Sequence, residues 1–389
     1  MRELIRRIDS ATPPDRDRAL DALRAAAILG VVLGHWLVTA LVTDSGVLRG
    51  GSPLQHMPEF TPVSWAFQTL AVFFLVGGQV SAKSYAGARG RGLRYRQWLG
   101  VRLVRLLRPV AVLLAVWTVA VVVMLASGVD GTTLYTLCKR VLSPLWFLLV
   151  FAGLTAVTPL VARLHPVWPL GGVLLVDLNR FVLEGPGWLD PVNVAAGWLV
   201  PYCLGAAWAR GRLQGRATGW TLLCGGAAAT AGLVLWAGYP ASMVGVPGEK
   251  LSNLDPPTLA VVAFGLAQCG AALLLLGPLR RVLARPALWA AVALANLSAM
   301  TIFLWHQTSM MAVTALGLFA GRPLPGLHTV PDSPDWVLAR LAWLPAFAVV
   351  LLVCCAAFRR YEQGRRHDGG GARVVGRGRP TPSEPVQHV

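Results

Sequence analysis

An arginine and a histidine eleven positions apart, inside an apolar run, are well placed for chemistry. The stretch begins Asp21-Ala-Leu-Arg24, and His35 follows ten intervening residues later. Eleven positions make three helical turns plus about 20°, so a helix here puts both side chains on one face, about 16 Å apart along the axis. In a membrane-spanning helix Arg24 then sits near the cytoplasmic headgroups and His35 deep in the apolar layer. An intramembrane ionisable residue is costly and marks a functional site by default. Neutral imidazole, with an ordinary pKa of about 6.5, can take a proton from a hydroxyl and activate it. A basic surface beside Arg24 would hold an anionic head, and a long thin arm could run along the helix to present a thioester near His35. Asp21, three residues before Arg24, can pair with it and fix its rotamer. Spacing alone leaves a second reading open: an interfacial anchor at Arg24 and a histidine bonded to a neighbouring helix.

Further polar residues fall inside apolar stretches. His306 stands about eight residues into a late apolar run, where it could orient substrate or hydrogen-bond across a bundle. Asp177 lies deep in another run with Arg180 one turn later, close enough to pair with it. A place on the acceptor side is one role for Asp177. Asn253 and Asp255 occupy a loop closed by Pro256-Pro257, which could shape an acceptor site or simply turn the chain. Gly77-Gly78 would let two helices, or a thin substrate arm, approach closely. The six cysteines form no C-x-x-C pair, most sit in apolar runs, and no metal-ligand spacing is present.

The elements that carry these residues are membrane helices. Of 389 residues 55% are hydrophobic and only 14% charged, against roughly 45–50% and 25% in soluble domains. Segments such as 109–127 and 259–278 carry no charge over roughly the twenty residues that cross a bilayer core. Ten spans fit the hydropathy, near 20–43, 62–82, 104–127, 141–162, 167–183, 192–209, 218–238, 258–278, 298–320 and 336–358. Residues 287–297 read as a short interfacial helix. The first run reads as a retained helix rather than a cleaved leader.

The formal net charge of +17 would suggest nucleic acid in a soluble protein. Here the basic residues lie between apolar runs. With the N-terminus inside, 28 of the 35 lysines and arginines fall on inner segments, which supports ten spans with both termini cytoplasmic. Expected, then, is an all-α polytopic bundle in the cytoplasmic membrane, with no nucleic-acid partner. It divides into a cytoplasmic segment 1–19, a transmembrane domain 20–358 and a disordered basic tail 359–389.

The Asp21-x-x-Arg24-x10-His35 stretch resembles the signature of the acyltransferase-3 family, bacterial multi-pass membrane O-acyltransferases. Phe73-Phe74-Leu75-Val76-Gly77-Gly78, Arg102-x-x-Arg105-Leu106-Leu107-Arg108-Pro109, Leu145-Trp146-Phe147-Leu148 and Thr301-Ile302-Phe303-Leu304-Trp305-His306 resemble further segments of that family. So does Ser252-Asn253-Leu254-Asp255-Pro256-Pro257-Thr258. Together they cover roughly residues 15–360. The resemblance implies about ten spans, acyl-CoA (acetyl-CoA first) as donor, and a hydroxyl of a glycan, lipid or small molecule as acceptor; from the residue spacing, no metal is expected. Carried over residue by residue, it implies His35 and Arg24 as the catalytic pair, with Arg102, Arg105 and Arg108 toward the phosphates of CoA. Arginine suits phosphate because it stays charged and binds through two N–H groups. Asp177, Asn253, His306 and Gly78 are the expected substrate-side residues. Phe303 stands where the family segment has tyrosine, so no hydroxyl acts there. A competing expectation is a transporter or flippase that relays protons through Asp177, His35 and His306.

Overall fold

The computed structural model describes residues 2–363. An amphipathic helix, α1 (Arg2–Ser10), precedes the first long helix, α2 (Arg18–Val38). Asp17 caps α2 by accepting a hydrogen bond from the Ala19 amide at 3.1 Å. The helix then stops at Thr39, which is extended, so residues 39–43 are not the last turn of the first span as expected. Instead β1 (Ala40–Asp44) and β2 (Val47–Gly51) pair antiparallel, with Ala40 opposite Gly51. The cause is local: β-branched residues crowd this stretch, and Ser45-Gly46 take positive φ at the two central turn positions, as a tight hairpin requires.

Short turns lead to α3 (Leu70–Gly90) and α4 (Tyr95–Ala126). A helix that was not among the expected spans, α5 (Gly131–Leu142), comes next and stops before Pro144; the expected fourth span, 141–162, holds α6 (Leu145–Ala156) and a single turn at Thr158–Val161. After it come α7 (Val167–Phe181), α8 (Val192–Ala209), α9 (Arg216–Leu235) and α10 (Leu259–Val282). The short α11 (Pro286–Leu297) covers the expected interfacial stretch and leads into α12 (Ala299–Gly317) and α13 (Pro334–Gln363).

Nine helical stretches among the described residues are long and apolar enough to cross a membrane. The remaining expected span, α7, is helical but has 15 residues, about 22 Å against a hydrocarbon core of about 30 Å. The protein is an all-α polytopic bundle. Its centre and rim separate by burial: 61% of the apolar window ending α8 is buried, against 11% in α4 and 17% in α9 and in α13. The exposed valines and leucines of α4 are therefore the lipid-facing surface.

Close helix pairs rest on glycine. A Cβ on Gly78 would overlap the Tyr202 carbonyl, and one on Gly205 would overlap the Leu75 carbonyl, so α3 and α8 touch backbone to backbone. Gly226 and Gly270 do the same between α9 and α10. At one end of the bundle Arg280 binds Asp17 at 2.6 Å and Arg18 binds Asp9 at 2.8 Å. Trp289 Nε1 there donates to Thr12 Oγ1 at 2.8 Å. Residues 359–363, expected in the disordered tail, instead continue α13; the rest of that expected tail, 364–389, lies outside the described residues.

Candidate active site

α2 and the α11–α12 run lie side by side in the same chain direction, because two contacts about three turns apart join them. Near the inner end Arg24 Nε donates to Asn296 Oδ1 at 2.6 Å, and Asn296 Nδ2 donates to the Asp21 carbonyl at 2.8 Å. Arg24 also lies 3.6 Å from the Asp21 carboxylate. That carboxylate in turn holds Arg16 at 2.6 Å. Arg24 is half-buried, so the guanidinium is aimed by two partners and keeps donors free.

Three turns on, the ring of His35 lies tilted against that of His306, with centroids 5.1 Å apart and planes inclined by 35°. His306 is fully buried. Its Nδ1–H donates to the Phe303 carbonyl at 2.5 Å, which leaves Nε2 as a bare acceptor, and that atom has no partner among the described residues. His35 is half-buried, and its ring makes no hydrogen bond to the described residues. The register is pinned beside it: Trp36 Nε1 donates to the His306 carbonyl at 2.9 Å, and Ser309 donates to the same oxygen at 2.7 Å. Trp36 also packs edge-on against Phe347 of α13.

The outer end of α2 is capped from a distance. Arg340, 1% exposed, donates to the carbonyls of Trp36 and Thr39 at 2.6 Å each and to that of Gly326 at 2.8 Å. It lies over the Phe347 ring at 4.8 Å. A cation suits the last carbonyls of a helix. The inner end of α12 lacks a side-chain cap of its own. Glu362 supplies one, accepting from the Met300 amide at 3.1 Å, the Thr301 amide at 3.1 Å and the Thr301 hydroxyl at 2.8 Å.

Arg102 and Arg105 of α4 stand within electrostatic reach of Arg24. Arg102 donates to the Val80 carbonyl at 3.4 Å and lies 5.8 Å from the Trp98 ring centre. Arg105 and Arg108 are exposed. At the same end a cavity of about 520 Å³ opens between α3, α8 and residues 159–163. Lys83, Arg89, Arg163 and Arg210 line it with Tyr85, and no acidic residue does. Neither Arg24 nor His35 lines that cavity.

The other sequence candidates sit elsewhere. Asp177 accepts from Asn193 Nδ2 at 2.9 Å, from the Tyr239 hydroxyl at 2.9 Å and from the Leu259 amide at 2.6 Å. It joins α7, α8 and α10, and it hydrogen-bonds to neither histidine, so no three-residue proton relay is assembled. Arg180, expected beside it, pairs with Asp190 at 3.3 Å instead. Asn253 is fully buried and holds its loop: Nδ2 donates to the carbonyls of Pro240 at 2.6 Å and Ser242 at 3.0 Å, and Oδ1 accepts from Thr258 at 2.7 Å. Gly78 faces the α8 backbone. Of the expected group, then, Arg24, Arg102 and Arg105 gather at one end, His35 meets His306 within the bundle, and Asp177, Asn253 and Gly78 serve other junctions.

Asn296, Arg340 and Glu362 escaped the sequence reading. Asn296 left one faint signal, an amide at the end of an otherwise apolar helix and ten residues before His306, nearly the spacing from Arg24 to His35.

A helical membrane bundle thus holds a guanidinium, Arg24, and three turns along the same helix an imidazole, His35, set against His306 of a neighbouring helix. Residues 17–359 match the family described as Acyltransferase domain, so the chain belongs to the acyltransferase-3 family and is a multi-pass membrane acyltransferase. Neither a curated protein nor a solved structure matches it.

Proposed function

We propose that the protein moves an acyl group, acetyl first among candidates, from acyl-CoA to a hydroxyl of a glycan, lipid or small-molecule acceptor in the cytoplasmic membrane. The observation that carries this reading is the two-point junction of α2 with α11–α12. It holds a cation at the inner end and an imidazole three turns deeper on the same face, the reach of an extended thioester arm. Arg24, Arg102 and Arg105 hold the anionic part of the donor. The acid-free basic cavity at the same end supports an anionic ligand there.

His35 acts as general base. It takes the proton of the acceptor hydroxyl as that oxygen bonds to the thioester carbonyl carbon. The carbon–sulfur bond breaks, and the proton passes to the departing sulfur, giving an ester and free CoA. His306, with its donor committed to Phe303, positions His35 and keeps a bare nitrogen beside it.

The test is CoA release from acetyl-CoA by purified protein offered membrane extracts as acceptor source. His35→Ala is expected to lower the rate by about 100-fold or more, the usual contribution of a general base, with the thermal transition unchanged. A variant that retains half the rate removes His35 from the mechanism.

A further inference from the structure

The basic cavity at the inner end stands apart from the Arg24 group. Separate segments bring cations to it: Lys83 and Arg89 from α3, Arg163 from the stretch after Val161, and Arg210 from the end of α8. No acidic residue is among those that line it. Arg16, Arg18 and Arg280, at the same end, each pair with an aspartate. A basic inner face needs cations, but it does not need them gathered around an acid-free hollow, where like charges repel. Successive residues of a helix turn by about 100°, so Ala82, Ala86 and Arg89 of the lining face away from Val80 and Ser84, which hold Arg102 and Trp98 of α4. The Tyr85 ring, edge-on to Trp98 at 5.1 Å, stands between the two sides. Gln79 lies on the cavity's side of α3, one turn deeper than Ala82 and Lys83. It sits where α3 meets α8: a Cβ on Gly205 would overlap its amide nitrogen, and Ala209 of the lining is one turn from Gly205. Gln79 is 3% exposed, and its Oε1 has no partner among the described residues. A buried acceptor is unfavourable unless something donates to it.

We infer that this cavity binds a phosphate ester that also carries a hydroxyl, at a place the acyl donor does not use: the cations take the phosphate, and the hydroxyl donates to Gln79 Oε1. A volume of about 520 Å³ suits a small ligand head, since such sites run from about 300 to 1,000 Å³. Arginine meets phosphate oxygens through paired N–H groups, and lysine adds a compact charge. A glycerol phosphate unit has both features. It is supplied either by the headgroup of phosphatidylglycerol in the inner leaflet or by the free ester in solution. The site goes beyond the acyl-transfer reading and does not depend on it.

Lys83 reports on the site, because the chain has only three lysines and the others, Lys139 and Lys250, do not line the cavity. The full-length protein in phosphatidylcholine nanodiscs is reductively methylated and read by peptide mass spectrometry. Methylation of Lys83 relative to Lys250 is expected to fall about threefold or more with phosphatidylglycerol in the disc or with sn-glycerol 3-phosphate in solution, but not with glycerol. Protection by the lipid alone names the headgroup as the ligand; protection by the soluble ester in phosphatidylcholine discs names the free ester. Arg163→Gln together with Arg210→Gln is expected to abolish the protection, Gln79→Leu to weaken it about threefold, and Arg102→Gln to leave it as it is. Protection by neither phosphate, equal protection by glycerol, or protection that persists without Arg163 and Arg210 overturns the inference. Protection by CoA that is lost in Arg102→Gln overturns it too, since the cavity would then belong to the donor. Full protection in Gln79→Leu sinks the hydroxyl contact.

Discussion

His306 shows how little of a residue's chemistry its type alone conveys. With Nδ1–H given to Phe303, its other nitrogen can only accept, and that nitrogen has no partner among the described residues. Arg24 is similarly defined by its partner. Asn296 accepts from its Nε, which leaves the outer guanidinium edge toward Asp21 and the inner surface. Asn296→Ala removes a hydrogen bond to a charged group, of order 1.5–3 kcal/mol. The expected result is a KM for acetyl-CoA about tenfold higher with kcat little changed, while Asn296→Asp restores KM. Equal losses in kcat and kcat/KM would show that Asn296 serves the chemical step rather than donor binding.

Glycine decides how the elements meet. Gly77 and Gly78 are neighbours with different duties: a Cβ on Gly77 meets the movable ring of Phe151, whereas one on Gly78 meets the α8 backbone. Gly153 of α6 faces open space. Gly78→Ala is expected to cost about 1–3 kcal/mol through overpacking, since two backbones must part. Gly153→Ala is expected to leave the thermal transition in detergent where it is or raise it. Matching transitions for the two variants would mean that the α3–α8 contact is looser than this packing requires.

Across the whole molecule, the inner end is tied by residues distant in sequence. Partial burial works against ionisation of Asp17, but Arg280 and the amides of Ala19 and Leu20 outweigh it and hold the carboxyl below the usual carboxylate range. A depressed carboxyl stabilises the fold above its unfolded value, about 3.9, and that stability is lost as pH falls through the folded value. Asp17→Ala removes both the cap of α2 and the tie to α10, and is expected to cost about 1 kcal/mol at pH 7. The difference from the unaltered protein should vanish once both are acidified below the folded value. A gap that persists there would assign the cost to packing instead of charge.

Much of the architecture was legible in the chain because bilayer spanning depends on run length and charge placement, which are local and additive. Each of the ten expected spans has a helix, and residues 287–297 form the short one. The spacing of Arg24 and His35 was equally local, since a helix converts eleven positions into one face. What a linear reading could not supply was the partner. That His35 meets His306, that Asn296 aims Arg24, that Glu362 caps α12 and Arg340 caps α2, and that Asp177 binds Asn193 and Tyr239 rather than Arg180 all depend on which helices become neighbours. The end of α2 at Thr39 was missed for a related reason: hydropathy registers that residues 39–43 are apolar, while extended backbone and a hairpin turn decide that they pair as a strand. Burial and hydrogen bonding in the bundle choose among partners that composition and periodicity leave equivalent.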